Sequence, residues 1–279
     1  MSFHLPDFDI AAFVAATLAE DMGAGGDRTS AAVIPAGAVL TAVMDSRDPV
    51  TVCGLPLAAA FFRALDPACT IETLVAEGAQ VPAGADLMRI RGNARALLTA
   101  ERSALNTVQH LTGVATMTRA YVDAISGTGA ILLDTRKTLP GLRIVEKYAT
   151  KTGGATNHRM RLDDGVMIKD NHIAVAGSVE AAVHAAKAAG LTNIVVEVDT
   201  LEQIPPALAA GADRLLLDNM GPATLRQAIA LIAGRVPTEA SGGVNLATIR
   251  AIAETGVTYI SVGRITQSAP AADIGLDFA

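Results

Sequence analysis

From residue 130 onward, short apolar runs alternate with segments of helical periodicity, and this alternation constrains the fold more than any other feature. Each apolar run ends in polar residues. The runs cover residues 131–133, 166–168, 194–198, 214–217, 237–240 and 259–262. Such β–α alternation predicts a parallel sheet whose strands are joined by crossover helices.

The number of predicted strands favours an incomplete, open α/β barrel with fewer than eight strands. A doubly wound open sheet is the alternative, but that fold usually carries a glycine-rich fingerprint after its first strand. Here Thr135-Arg136-Lys137 follows the first strand instead. The open barrel is therefore the preferred α/β fold.

The first third of the chain mixes element types. A stretch rich in glycine and proline at 76–87 predicts tight turns. Helices are predicted over 9–19, 55–65 and 95–125, and strands over 39–45 and 50–52.

Composition excludes several classes of protein. Hydrophobic residues make up 51% of the 279 residues and charged residues 18%, which excludes a disordered chain. Trp is absent and aromatic residues make up 3%, so platforms for stacking single-stranded bases are not expected. The net charge of −6 also argues against binding of phosphate backbones. We therefore expect no nucleic-acid partner.

Three further features predict a cytoplasmic protein without a membrane partner. The N-terminus lacks the basic and apolar regions of a signal peptide. No apolar run is long enough to span a membrane. Cys53 and Cys69 lie in apolar surroundings and are interpreted as buried thiols in a reducing cytosol.

Positive charge is concentrated in residues 134–172 of this otherwise acidic chain. The segment holds eight of the 22 lysine and arginine residues, together with His158 and His172. These side chains are interleaved with glycine, threonine, asparagine and apolar residues, which suits a lined cavity better than a solvated charge run. The concentration of charge predicts a pocket for an anion.

Polar residues directly after the predicted strands are the candidates for a functional site, because barrel enzymes carry their reactive groups at the carboxyl ends of the strands. Arg136, His158, Arg159 and Lys169 can neutralise an organic acid that carries several carboxylates. Cations packed this densely repel one another unless an anion lies between them. The strand ends supply, in chain order, Thr135, Arg136, Lys137, Lys169, Glu197, Asp218, Ser241, Gly242, Gly243, Gly263 and Arg264.

Two carboxylates, Glu197 and Asp218, lie on neighbouring predicted strands or at their ends, and two interpretations of them remain open. They can hold Mg²⁺ together with phosphate oxygens, or they can pair with nearby cations. Backbone N–H groups at 241–243 and 262–264, the second turn beginning at Val262, can bind a phosphate. Together these features predict a site for a polycarboxylate beside a phosphorylated, Mg²⁺-bound sugar.

Several motifs resemble those of the quinolinate phosphoribosyltransferase family, nearly from end to end of the chain. The most specific are DTRKT from Asp134, NHR from Asn157 and IKDNH from Ile168, because all three occur at the family's spacing. Further matching stretches cover 26–30, 100–106, 218–220, 239–243 and 260–263.

The resemblance implies a domain organisation and an assembly. An N-terminal α/β sandwich domain would cover 1–113 and an open α/β barrel 114–265, with the tail 266–279 returning to the N-terminal domain. The family forms homodimers, and Arg102 matches the arginine that reaches the quinolinate site of the partner subunit.

The resemblance also implies an activity. Quinolinate and phosphoribosyl pyrophosphate would be converted to nicotinate mononucleotide, pyrophosphate and CO₂ in NAD biosynthesis. The residues matching the quinolinate site are Arg136, His158, Arg159 and Lys169. Those matching the phosphoribosyl pyrophosphate and Mg²⁺ site are Lys137, Glu197 and Asp218, which are the expected catalytic residues, with Thr135, 241–243 and 262–264 completing the substrate site.

The chain departs from the family pattern at Arg161, Val195 and Gln267, none of which has an assigned role. Three alternatives stay open. A paralogous group from molybdenum-transport loci shares the fold but tends to lose the lysine and Asp-Asn-His that this chain keeps at 169–172. A lyase with a Schiff base on Lys137 or Lys169 would be trapped by borohydride. An anion-binding module would bind ligand without turnover.

Overall fold

The computed structural model describes residues 5–278, which fall into two compact units. The first unit comprises the chain up to Met117, Ile144–Gly153 and the chain from Ala269. The second unit comprises Thr118–Arg143 and Gly154–Ser268. Within residues 5–278, every helix is too short or too polar to span a lipid bilayer.

Strands and helices follow one another along both units. The strands are β1 Val39–Ser46, β2 Val50–Thr51, β3 Thr70–Thr73, β4 Gln80–Val81, β5 Ala85–Asn93, β6 Ile131–Leu133, β7 Met167–Ile168, β8 Val195–Val198, β9 Arg214–Asp218, β10 Thr238–Ser241, β11 Tyr259–Ser261 and β12 Ile274–Phe278. The helices are α1 Ile10–Met22, α2 Arg28–Val33, α3 Leu55–Leu65, α4 Ala94–Ala124, α5 Arg143–Thr152, α6 Asp170–Ala176, α7 Val179–Ala188, α8 Ile204–Ala210, α9 Pro222–Ile232, α10 Ile249–Ala253 and α11 Arg264–Gln267.

An antiparallel sheet with the order β12-β1-β5-β3 forms the centre of the first unit. Met44 of β1 lies opposite Leu276 of β12 and Met88 of β5. Apolar side chains from this sheet and from α1, α3 and α4 form one buried core, to which Phe61 and Leu97 contribute. The predicted mixture of helices and strands in the N-terminal part is confirmed.

Helix α5 lies between β6 and β7 in the chain, yet its residues from Ile144 belong to the first unit. The family resemblance implied that this segment belongs to the barrel domain, and two side-chain contacts accompany its grouping with the first unit. Tyr148 donates a 2.8 Å hydrogen bond to Glu77, and the buried Glu146 lies 2.8 Å from His110 Nε2. Both contacts join α5 to residues of the first unit.

A six-stranded parallel sheet with the order β6-β11-β10-β9-β8-β7 forms the second unit. The last parallel strand pairs with the first, and β6 and β7 form the two edges. This is the strand order of a barrel left open between its first two strands, so the predicted fold class is confirmed. Because the strands are parallel, their carboxyl ends meet along one edge.

Candidate active site

A cavity of about 550 Å³ lies at the carboxyl ends of the strands in the second unit. Its size is in the range of small-molecule sites. We refer to it as the strand-end cavity. It is lined by Thr135, Arg136, Lys137, His158, Arg159, Met167, Lys169, Glu197, Leu216, Asp218, Glu239, Ser241, Gly242, Gly243, Val244, Asn245, Ser261, Val262, Gly263, Arg264 and Gln267.

All the candidate site residues in the second unit lie together in this cavity. Arg102 is the candidate outside it, exposed on α4 in the first unit. Sequence patterns assigned no role to several lining residues: Met167, Leu216, Glu239, Val244, Asn245, Ser261 and Gln267. The period of a strand is a signal that could have found three of them, since Leu216, Glu239 and Ser261 each lie two residues before a candidate and so face the same side.

Two guanidinium groups lie within electrostatic range of each other in the strand-end cavity. Arg136 Nε is buried and has no hydrogen-bond partner among the described residues. Arg159 Nη1 donates to the backbone oxygen of Gly165 over 2.9 Å. Burial and the positive charge of Arg136 lower the pKa of Arg159. Two like charges beside an unpaired buried donor suit an anionic ligand.

His158 is held on three sides. Its backbone N–H donates to Asp134 Oδ1 over 2.8 Å. Its ring Nδ1 accepts a 2.7 Å hydrogen bond from the backbone N–H of Arg159. Its ring Nε2 lies 3.5 Å from Glu239 Oε2. Both ring nitrogens therefore face protein groups.

Lys169 and Glu197 form a close ion pair, with 2.6 Å between Nζ and Oε2. Glu197 is buried on β8, whereas the Lys169 side chain is 43% exposed at the start of α6. Of the two interpretations of the carboxylates, pairing with a cation describes Glu197 in this structure. The bond occupies one oxygen of Glu197, and Oε1 remains for a second interaction.

Asp218 lies at the end of β9 among charges of both signs. Burial and the negative charge of Asp199 raise the pKa of Asp218, while Lys169 and Lys137 act in the opposite direction. Asn219 Nδ2 donates to Asp218 Oδ2 over 2.6 Å. Asn219 thus orients the Asp218 carboxylate. Burial and the charge of Asp199 disfavour its ionised form, which a bound cation would stabilise.

The carboxylates of the strand-end cavity suit a metal ion that is bound partly by other ligands. Among residues 5–278, no group of three or more His, Cys, Asp or Glu side chains is arranged to hold a metal by itself. Mg²⁺ commonly binds through one or two carboxylates and completes its shell with water and phosphate oxygens. Asp218, with Asp199 nearby and one oxygen of Glu197, fits that mode.

Glycines at two strand ends are required by close packing. Gly242 has φ 88°, and a Cβ there would overlap Asn219 Oδ1 and lie 2.7 Å from Asn219 N. A Cβ on Gly263 would lie 2.7 Å from Lys137 Cδ. Thr266 Oγ1 donates to the backbone oxygen of Lys137 over 2.6 Å. The two glycine turns therefore leave the space that Asn219 and Lys137 occupy, and the Thr266 hydrogen bond fixes the Lys137 backbone.

Comparison with known proteins identifies the family. A family model described as quinolinate phosphoribosyl transferase, C-terminal domain, matches residues 114–277, and its N-terminal counterpart matches residues 27–112. The chain belongs to the quinolinate phosphoribosyl transferase family. The family resemblance that the motifs DTRKT, NHR and IKDNH indicated is thereby confirmed.

Individual members of the quinolinate phosphoribosyl transferase family are similar over nearly the whole chain. The nicotinate-nucleotide pyrophosphorylase (carboxylating) of Mycobacterium leprae (strain TN) is 43% identical over 269 residues, covering 93% of this chain and 94% of that protein. The solved nicotinate-nucleotide pyrophosphorylase from Francisella tularensis is 38% identical with a TM-score of 0.93, covering 100% of both chains. The enzyme of that name from Ehrlichia chaffeensis is 36% identical with a TM-score of 0.94, covering 98% of this chain and 100% of the other.

Proposed function

We propose that the chain is a quinolinate phosphoribosyltransferase that makes nicotinate mononucleotide, pyrophosphate and CO₂ for NAD biosynthesis. The observation that carries this proposal is the pair Arg136 and Arg159, whose positive charges repel each other. In addition, Arg136 Nε is buried without a hydrogen-bond partner among the described residues. An aromatic acid with two carboxylates supplies the missing counter-charge. The names of the family's relatives, nicotinate-nucleotide pyrophosphorylase (carboxylating), support the same reaction.

Each part of the strand-end cavity suits one part of the substrates. Arg136, Arg159 and Lys169 would bind the carboxylates of quinolinate, because guanidinium groups bind carboxylates through two parallel hydrogen bonds. Lys137 would bind the pyrophosphate. Backbone N–H groups at 241–243 and 262–264 would bind the remaining phosphate.

In the first step, the pyridine nitrogen of quinolinate attacks the anomeric carbon of the ribose. The bond from that carbon to the pyrophosphate oxygen breaks, and its electron pair leaves with pyrophosphate. Lys137 stabilises the negative charge that develops on the leaving group, and this stabilisation costs no reorganisation because the lysine loop is already fixed by Thr266 and Gly263.

In the second step, the bond between the ring and the 2-carboxylate breaks and CO₂ leaves. The electron pair stays on the ring carbon, where the cationic ring nitrogen stabilises it, and a proton from water then occupies that position. The guanidinium groups have to hold the other carboxylate throughout, so that the ring stays oriented.

We propose Mg²⁺ as the cofactor, held by Asp218 and Glu197. Held there with the pyrophosphate, Mg²⁺ would supply positive charge to the leaving group. Asp199 adds negative charge beside Asp218. Glu197 would contribute the oxygen that Lys169 does not occupy.

We also propose a cytoplasmic homodimer in which Arg102 of each subunit completes the site of its partner. The exposed position of Arg102 on α4 supports this, because an exposed guanidinium is available to a second chain. The free thiols of Cys53 and Cys69 suit a reducing compartment.

The direct test is incubation of the purified chain with quinolinate, phosphoribosyl pyrophosphate and Mg²⁺. We expect nicotinate mononucleotide and CO₂ in equal amounts. Nicotinate in place of quinolinate is the matched control, because it lacks the second carboxylate and should react far more slowly. Absence of product, or equal turnover of nicotinate, would contradict the proposal. Borohydride should not inactivate the enzyme, which separates this reaction from Schiff-base chemistry.

A further inference from the structure

Glu239 is a fully buried carboxylate at the floor of the strand-end cavity. It lies on β10, opposite Leu216 of β9 and Tyr259 of β11. One oxygen, Oε2, lies 3.2 Å from Arg214 Nη1 and 3.5 Å from His158 Nε2. Arg214 in turn stacks over the ring of Tyr259 at 4.3 Å. Glu239 therefore joins a cation at the start of β9 to a histidine of the ligand cavity.

The carboxylate is ionised despite its burial. Desolvation raises the pKa of Glu239, but hydrogen bonds from His158, Ser261 and Arg214 outweigh it, so that the pKa lies below the ordinary value. A buried ion pair of this kind is weak evidence for stability, because desolvation of both charges offsets their attraction. The contact of Glu239 with His158 therefore points to a role other than stabilising the fold.

The hydrogen bonds of His158 define its protonation. Because Nδ1 accepts the backbone N–H of Arg159 at 2.7 Å, that nitrogen must present its lone pair. The ring proton is then on Nε2, the nitrogen that faces Glu239. The imidazole is a neutral bridge between a buried carboxylate and the backbone of a ligand-binding arginine.

We infer that Glu239 is a positioning residue that favours the form of His158 with its proton on Nε2. In this form His158 Nδ1 can accept the backbone N–H of Arg159, and this hydrogen bond holds the backbone that carries the Arg159 side chain. Because this deepens the proposed function, it rests on that function for the identity of the ligand. His158, counted among the cations from sequence, has in this geometry the role of an uncharged spacer. The guanidinium groups of Arg136 and Arg159 then provide the positive charge for a dicarboxylate.

The state of the ring can be measured without any substrate. The full-length protein is labelled with ¹⁵N in its histidine rings, and His158→Gln identifies the signals of His158. Near neutral pH we expect an unprotonated Nδ1 and a protonated Nε2. A proton on Nδ1 would overturn the inference. The measurement does not depend on whether the chain turns over quinolinate.

The action of Glu239 through His158 can be measured with a double-mutant cycle. Calorimetry gives the Kd for quinolinate of the wild type, Glu239→Gln, His158→Gln and the double variant. We expect Glu239→Gln to weaken binding about tenfold in the wild-type background and less than about twofold when His158 is already replaced. Equal losses in both backgrounds would show that Glu239 acts by another route.

Glu146→Gln provides a matched control, because Glu146 is also a fully buried carboxylate beside a histidine, 2.8 Å from His110 Nε2 in the first unit. It should leave the Kd for quinolinate unchanged. If Glu146→Gln weakened quinolinate binding as much as Glu239→Gln, the effect of Glu239→Gln would be explained by general destabilisation, and the inference would be overturned. If the wild type itself does not bind quinolinate, the proposed function fails, and the ring measurement alone then decides the state of His158.

Discussion

Lys169 Nζ lies 2.6 Å from Glu197 Oε2, so a cation proposed to bind quinolinate neutralises a carboxylate proposed to bind Mg²⁺. The pair connects the end of β8 to the start of α6. A ligand that separates Lys169 from Glu197 leaves the charge of each side chain free to bind its own ligand. The two proposed substrate sites are therefore coupled through a single ion pair.

Glu197→Gln should affect the two ligands in opposite directions. Phosphoribosyl pyrophosphate with Mg²⁺ should bind about tenfold more weakly, because a carboxylate ligand is lost. Quinolinate should bind about threefold more tightly, because Lys169 loses its counter-charge. Calorimetry with each ligand separately measures both effects. Glu202→Gln, an exposed carboxylate nearby in the chain, is the control. Unchanged quinolinate binding would show that the pair does not restrain Lys169.

Arg136→Met should stabilise the ligand-free protein while weakening quinolinate binding. Removal of a buried unpaired donor and of repulsion with Arg159 should raise the free energy of unfolding by about 1 kcal/mol. Loss of a bidentate contact should raise the Kd for quinolinate about a hundredfold. Urea unfolding and calorimetry measure the two effects. Arg63→Met, on the exposed side of α3, should change neither. A lower stability of Arg136→Met would contradict the assignment.

Gly242→Ala should abolish most of the activity. The new methyl group would displace Asn219, which orients Asp218 through a 2.6 Å hydrogen bond. Gly256→Ala separates this effect from backbone strain, since Gly256 has φ 92° but nothing within 4 Å of a Cβ. Gly256→Ala should lose about 1–2 kcal/mol of stability from the strain at positive φ alone, and Gly242→Ala should lose more because of the overlap with Asn219. Activity at saturating quinolinate should fall only in Gly242→Ala. Equal activities would show that Asn219 does not matter.

The contribution of Glu239 to stability should depend on pH in a defined direction. Its pKa in the folded protein lies below the ordinary value of 4.5. The stabilisation is therefore complete above 4.5 and is lost as the pH falls through the lower folded pKa. At neutral pH, Glu239→Gln should be less stable than wild type by about 3–5 kcal/mol, and this difference should shrink in acid.

Urea unfolding at a series of pH values checks this expectation. Glu72→Gln is the control, because Glu72 forms an exposed pair with Arg89 over 3.0 Å. Such pairs contribute less than about 1 kcal/mol. A difference for Glu239→Gln that persists undiminished in acid would mean that its carboxylate gains nothing from being charged.

Mixing two inactive variants tests the shared site. In an Arg102→Ala and Lys137→Ala mixture, each mixed dimer contains one barrel with its own Lys137 and a partner that provides Arg102. Random assembly should restore about a quarter of wild-type activity. Lys137→Ala mixed with Asp218→Ala should restore none, because both barrels are then defective. No recovery in the first mixture would contradict the exchange of Arg102.

Local patterns predicted much of the fold and of the cavity. The helix at 55–65 and the strand at 131–133 have the predicted bounds, because apolar periodicity and flanking turn residues define them without distant contacts. The strand ends were predictable for the same reason, since a polar residue after an apolar run marks the rim of a barrel.

What the sequence left open depends on contacts between distant segments. The period of β10 places Glu239 on the same side as Ser241, but it does not show whether the carboxylate binds a ligand or only forms a salt bridge. The partner of Glu197 could not be chosen among the surrounding cations, and only the fold selects Lys169. The pairing of β12 with β1 joins segments that lie far apart in the sequence, so no local pattern indicates it.

The pairing of β12 with β1 has a consequence for synthesis of the protein. Phe278 lies opposite Ala42, so a strand near residue 278 completes a sheet whose neighbouring strand is translated much earlier. Until then one edge of β1 is open to foreign strands. Truncated translation products would keep that edge exposed and would be the forms most prone to aggregate.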